Sequence, residues 1–176
     1  MDPSRILMVI LLSFLLGVAA VTDVRSRKIP NLLTYPAMLT GIVYHAATKG
    51  FPGFLFSAEG LLLGVSLLIV FYFLGGMGAG DVKLLGAVGA LIGPKGVFTA
   101  FLFTALIGGL YAGVLLALSG YLAETVKRYG TMLETYMFTR KVYYIPPERR
   151  DGKMPVLRYG VVIAAGTLCS VLLPFP

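Results

Sequence analysis

Two aspartates, Asp23 and Asp81, each adjoin a long apolar run and are the residues best placed to do chemistry in this sequence. Asp81 lies in the glycine-rich stretch 74–86, three residues after Gly78 and directly after Gly80. Glycine lets a backbone or a substrate approach closely, and it permits positive φ. An ionisable group at or inside a membrane boundary is costly and therefore indicates a functional site. The pattern predicts an accessible site around Asp81.

Two carboxyl groups that face each other can share one proton. The ionised group can then take a proton from water while the protonated group hydrogen-bonds to a peptide carbonyl, as in aspartic proteases. Paired intramembrane carboxylates also relay protons in transporters, but no convincing inverted repeat is visible, which favours the protease. A purely structural membrane subunit is the third hypothesis. It gives no reason for Asp81 to lie among glycines.

Composition indicates a membrane protein, because 57% of the 176 residues are hydrophobic and only 13% are charged. The net charge of +7 comes from short basic segments between apolar runs. This distribution favours membrane orientation over nucleic-acid binding. The single cysteine, Cys169, rules out a disulfide framework or a Cys-based zinc site within one chain. We predict neither a metal site nor a cofactor.

The apolar runs predict an all-α, polytopic membrane protein with six transmembrane helices in a single domain over residues 1–176. The predicted spans cover about 6–22, 29–48, 54–74, 81–94, 97–120 and 156–173. The first run could instead be a signal peptide, but its length and the five runs that follow favour a span. His45, near the end of the second span, is predicted to be a satisfied interfacial residue rather than a metal ligand.

The fourth predicted span is short, with 11 uncharged residues between Lys83 and Lys95. These residues make about 17 Å of helix, against a hydrocarbon core of about 30 Å. Either Asp81 and Lys83 lie below the headgroups, or the helix continues past Lys95. Residues 93–96, Gly-Pro-Lys-Gly, predict a tight turn.

A polar segment over about 124–155 follows the fifth span and is predicted to be cytoplasmic. Apolar residues recur at helical spacing at its start, which indicates an amphipathic helix lying in the membrane interface. A solvated extension of the fifth span explains the pattern nearly as well. The apolar positions are Leu122, Val126, Tyr129, Leu133, Tyr136 and Met137.

Basic residues predict the orientation. Twelve fall in the loops after the first, third and fifth spans and three on the opposite side. Positive residues mark cytoplasmic loops, so we predict that both termini lie outside. Asp23 and Asp81 would then lie at the cytoplasmic ends of the first and fourth helices. Packing of those two helices would bring the carboxylates within reach of each other.

Three segments resemble the type IV prepilin peptidase family, membrane aspartic proteases of the GxGD kind that include archaeal preflagellin peptidases. Two of them carry the aspartates, at 23–31 (DVRSRKIPN) and 78–84 (GAGDVKL). The third, 158–166 (RYGVVIAAG), is similar to the last helix of the compact members that serve tight-adherence pili. Together with six predicted spans, these motifs extend the resemblance over nearly the whole chain.

The resemblance implies a membrane aspartic endopeptidase, located in the cytoplasmic (inner) membrane, whose active site faces the cytoplasm. It would remove a short basic leader from prepilin-like precursors, just before the hydrophobic helix of the mature subunit. Membrane lipid is the other expected partner; nucleic acid is not. Asp23 and Asp81 correspond to the catalytic pair. Four other positions match the motifs without an assigned chemical step: Gly78, Gly80, Lys83 and Asn31.

One departure from the family concerns a second activity. Larger members carry a cytoplasmic insertion with paired cysteine motifs and also N-methylate the new amino terminus. Here Asp23 directly follows the first span and those cysteines are missing, so we expect neither methyltransferase activity nor a need for S-adenosylmethionine. A presenilin-like protease that cuts inside a transmembrane helix is the nearer alternative, distinguished by where the cut falls.

Overall fold

The computed structural model describes residues 3–120, 122–140 and 157–172. All of the regular structure in these ranges is helical. The helices are α1 (Pro3–Ser26), α2 (Asn31–Phe73), α3 (Ala79–Leu118), α4 (Leu122–Thr139) and α5 (Tyr159–Leu172). Three of them, α1, α2 and α3, contain stretches long and apolar enough to cross a membrane, and α5 is apolar but shorter. The all-α membrane class is therefore confirmed.

Two glycines interrupt the long helices α2 and α3. Gly50 has φ 64° and ψ −146°, and Gly93 has φ 76° and ψ −179°. Both conformations suit a residue without a Cβ. They divide α2 into segments 31–49 and 51–73, and α3 into segments 79–92 and 94–118. The predicted turn at 93–96 is a break at Gly93, after which Pro94 starts the next helical segment, where its missing N–H costs least.

Glycine contacts show how these segments run. A Cβ added at Gly60 would overlap the carbonyl of Gly89, and one at Gly64 would meet that of Leu85, so segments 51–73 and 79–92 are antiparallel. Such close helix approach requires small residues. Segment 79–92 forms the centre of the core, and its Leu84, Leu85 and Val88 are fully buried. Because it ends at the Gly93 break, the alternative in which this helix continues past Lys95 is wrong.

Side chains from both halves of α2 satisfy carbonyls at the end of segment 79–92. Pro94 has no N–H to offer the Ala90 carbonyl, which instead accepts a 2.7 Å hydrogen bond from Ser57 Oγ. His45 Nε2–H donates to the Leu91 carbonyl at 2.9 Å. Carbonyls at a helix end need such partners, most of all away from water. His45 is thus hydrogen-bonded, as predicted, but it is buried inside the protein.

The chain forms two compact units, residues 1–108 with 158–176, and residues 109–157. In the first unit, α1 packs along α5. Segment 94–118 also meets α5 there, since Gly166 contacts Thr104 and Gly108 faces Val162. Helix α5 therefore packs against both α1 and segment 94–118 within this unit.

The second unit contains α4. A turn with Gly120 at φ 73° separates α4 from α3, so α4 is a separate helix and the alternative of a continuous extension of the fifth span does not hold. Its apolar side chains are exposed, including Val126 (64%) and Leu133 (61%), in agreement with the amphipathic pattern. The rest of the predicted polar segment, 141–155, lies outside the described residues, as do 156 and 173 at the ends of the predicted last span.

Candidate active site

Asp23 lies in the last turn of α1 and is held by the first turn of α5. The Gly160 N–H donates to Asp23 Oδ2 at 2.9 Å. This N–H belongs to the group of first-turn donors that have no partner within their own helix, and it favours a carboxylate. A Cβ at Gly160 would lie 2.9 Å from Asp23 Cβ and 3.0 Å from Cγ, so only glycine fits without displacement. The carboxyl is thus oriented by two helix ends that meet.

Asp81 lies in the first turn of α3. Its Oδ2 accepts the Gly78 N–H at 3.0 Å, while the Asp81 N–H donates to the Gly78 carbonyl at 3.1 Å. An acidic side chain that reaches back to the backbone N–H three residues earlier is one half of a capping box. The same carboxyl therefore caps its helix and remains half-buried at the edge of a cavity.

Both carboxyls line one cavity of about 250 Å³. The loop between α1 and α2 forms one wall and the glycine-rich segment before α3 the other. Besides the aspartates, the lining residues are Arg27, Lys28, Ile29, Gly78, Ala79 and Gly80. The structure therefore places Asp23, Asp81, Gly78 and Gly80 together, and the two cationic side chains accompany the two acids.

Gly80 makes the contact between the two walls. A Cβ there would lie 3.1 Å from Ile29 Cβ and 3.4 Å from the Ile29 nitrogen. A larger residue would push the Asp81 segment away from the loop that follows Asp23. Gly78, by contrast, is exposed and contributes its N–H to Asp81. The two motif glycines thus do different things.

Lys83 and Asn31 form a direct link outside the cavity lining. Lys83 Nζ donates to Asn31 Oδ1 at 2.9 Å, and Nζ also lies 5.0 Å from the centre of the Tyr35 ring, at cation–π distance. The pair joins the first turn of α3 to the first turn of α2. It therefore fixes the Asp81 helix against the segment that leads back to Asp23.

Two further residues at the site escaped prediction from the sequence as individual contributors. Arg27 has φ 53°, a region that few residues other than glycine occupy. Its N–H donates to the Asp23 carbonyl at 3.0 Å, so Arg27 ends α1 in a left-handed cap. Tyr159 directly precedes Gly160, whose N–H holds Asp23. Both lie in segments that resemble the family, which was the one signal pointing to them.

The described residues offer no obvious set of ligands for a metal ion. No group of three or more His, Cys, Asp or Glu side chains is arranged there to hold an ion. The two carboxyls are the acidic groups that line the cavity.

Comparison with known proteins places this geometry in context. The chain is 34% identical over 113 residues to the prepilin leader peptidase/N-methyltransferase of Bacillus subtilis, an alignment covering 62% of this chain and 44% of the relative. With the protein of the same name from Xanthomonas campestris pv. campestris it shares 32% identity over 136 residues, 71% of this chain and 45% of the relative. With the protein of the same name from Vibrio cholerae serotype O1 it shares 34% identity over 112 residues, which cover 57% of this chain and 42% of the relative.

The chain spans less than half the length of each of these curated relatives. No solved structure matches it. The Type IV leader peptidase family matches residues 10–113, which include both aspartates and the glycines around Asp81. Since this match covers more than half of the sequence, the chain belongs to the type IV leader peptidase family.

Proposed function

We propose that the chain is a membrane aspartic endopeptidase that removes the basic leader from prepilin-like precursors at the cytoplasmic face of the membrane. The observation that carries this proposal is the shared cavity of Asp23 and Asp81. One oxygen of each carboxyl is held by a backbone N–H, which orients the pair before a substrate arrives. Preorganised groups of this kind are what general acid–base catalysis needs.

In the proposed reaction the two carboxyls begin with one shared proton. The ionised carboxyl takes a proton from water as the water oxygen bonds to the peptide carbonyl carbon, and the protonated carboxyl transfers its proton to the carbonyl oxygen. In the resulting tetrahedral species one carboxyl protonates the amide nitrogen while the other recovers a proton from a hydroxyl. The C–N bond then breaks, giving an acid and an amine, and the pair again holds one proton.

The proposal includes six membrane crossings with both termini outside. The Gly50 break and the antiparallel packing of segments 51–73 and 79–92 support reversals of the chain inside α2 and between α2 and α3. The excess of basic residues in the sequence segments after the first, third and fifth predicted spans supports a cytoplasmic site in the cytoplasmic membrane. Asp81 would then lie in a water-accessible recess, where irregular glycine-rich backbone is tolerated.

The proposed substrate is a precursor with a basic leader and a hydrophobic helix after the cut. The relatives' names as prepilin leader peptidases support this choice. We assign hydrolysis alone to this chain, because only residues 27–30 separate α1 from α2 and leave no room there for a cysteine-containing insertion. Asp23, Asp81, Gly78 and Gly80 would form the catalytic centre, and Asn31 and Lys83 would position it.

The test is a cleavage assay in liposomes with a precursor that carries a basic leader, comparing the native chain with Asp23→Asn and Asp81→Asn. Asparagine still accepts the N–H bond at each position, so the fold should persist while the acid–base pair is lost. Glu59→Gln, an exposed carboxylate on α2, is the matched control. We expect background cleavage from both aspartate variants, native cleavage from the control and an unmethylated product by mass analysis.

A native rate from either folded aspartate variant would contradict the proposed pair and make proton-coupled transport the next activity to assay. The product mass also locates the cut. A cut inside the hydrophobic helix, rather than before it, would identify a presenilin-like protease instead.

A further inference from the structure

A second cavity, of about 200 Å³, lies between α1 and the first half of α2, and we name it the α1/α2 groove. Its floor is closed, since Leu15 and Leu91 are 2% and 3% exposed. Its rims are open, since Phe14 and Leu32 are 66% and 86% exposed. None of its lining side chains is charged, and Thr40 is the polar one. The groove thus offers an apolar, laterally open surface.

One end of the α1/α2 groove lies one helical turn from the aspartate cavity. Ile29 lines the cavity, and Leu32 and Leu33 line the groove one turn farther on. The N–H groups of Leu33 and Thr34 both donate to the Pro30 carbonyl, at 3.0 Å and 3.4 Å, so these residues form the first turn of α2. On α1, Leu15 and Leu11 precede Asp23 by about 12 Å and about 18 Å of helix. The groove therefore extends about 18 Å from the carboxyls along the helices.

A substrate bound at the carboxyls has two different surroundings on its two sides. One side meets Arg27, Lys28 and the backbone of the cavity. The other side, toward the helices, meets the uncharged groove. About 12 helical residues cover 18 Å. Resting on the proposed function, we propose that the α1/α2 groove binds the first three turns of the hydrophobic helix that follows the cleavage site of the precursor.

The occupant can be identified by photocrosslinking in the full chain, with Asp81→Asn present so that the bound precursor stays intact. A photoreactive residue at Thr40, in the groove, is compared with one at Leu39. Leu39 is 62% exposed, lies at the same depth and points about 100° away around the helix. We expect the photoreactive residue at position 40, and not the one at position 39, to crosslink to the precursor within about the first 12 residues after its cleavage site.

Equal crosslinking of the precursor from the two positions would overturn the proposal. Crosslinking of position 40 to lipid alone would also overturn it and would leave an acyl chain as the occupant. This readout needs no cleavage. Specific crosslinking by a native chain that never cuts the precursor would therefore refute the proposed function while the binding surface stands.

Filling the groove gives a kinetic test with the same pair of positions. Thr40→Trp should lower kcat/KM for the membrane-inserted precursor at least about tenfold, mostly through KM, because roughly one buried apolar side chain of the substrate loses its place. The Leu39→Trp variant should cleave the same precursor with native kcat/KM. A short soluble peptide that ends just after the cut should be processed equally by both variants and the native chain. An equal loss on that peptide would show damage to the aspartate cavity and contradict the groove assignment.

Discussion

Gly160→Ala tests the contact that orients Asp23. The new Cβ would lie 2.9 Å from Asp23 Cβ and 3.0 Å from Oδ2, where ordinary contacts begin at about 3.4 Å, so α1 and α5 must separate by roughly 0.5 Å. The 2.9 Å hydrogen bond from the Gly160 N–H would then lengthen beyond good geometry. A hydrogen bond to a charged group contributes about 1.5–3 kcal/mol, which corresponds to about 10- to 150-fold in rate.

We expect kcat/KM for precursor cleavage to fall within that range. Gly166→Ala, on the same helix, is the matched control, because its Cβ would crowd Thr104 of segment 94–118 and leave Asp23 untouched. Thermal unfolding in detergent should show that both variants lose stability, whereas only Gly160→Ala should lose activity beyond its loss of folded protein. Equal specific activities of the two folded variants would refute the idea that this contact orients the carboxyl.

Two further predictions concern contacts around the site and at the far end of its helix. Asn31→Ala and Lys83→Met should each lower kcat/KM about five- to tenfold. In a double-mutant cycle, the double variant should be no worse than the poorer single variant. Additive losses would contradict a shared positioning role. Ser57→Ala should lower the free energy of unfolding by about 1–3 kcal/mol by leaving a buried carbonyl without its donor, as measured by denaturant titration in detergent. Ser66→Ala, an exposed serine on the same helix, should change it little, and a Ser57 variant as stable as this control would contradict the capping role.

The sequence predicted the elements that carry the site because local rules determine them. Apolar runs marked the helices, the glycines around Asp81 marked a close approach, and Gly93 with Pro94 marked a break. Each of these features depends only on residues close to it in the sequence. Helix packing then follows the small residues, of which Gly60 and Gly89 are visible in the sequence, although their pairing is not.

Contacts across the chain were not predictable in the same way. The Gly160 N–H reaches Asp23 over 137 residues, and Lys83 reaches Asn31 over 52. Both bonds depend on the rotation and depth of packed helices, which hydropathy does not encode. The positive φ of Arg27 is equally hidden, because no glycine or asparagine marks it.

The hydrogen bonds from Ser57 and His45 have a mechanical consequence for Asp81. Segment 79–92 is about 20 Å long, with the carboxyl near one end and both bonds at the other. Between these ends the segment packs against segment 51–73, where Gly60 meets Gly89 and Gly64 meets Leu85. We expect a shift of the bonded end to pass along the helix to the carboxyl, so the alignment of the two acids also depends on hydrogen bonds made about 15 Å away.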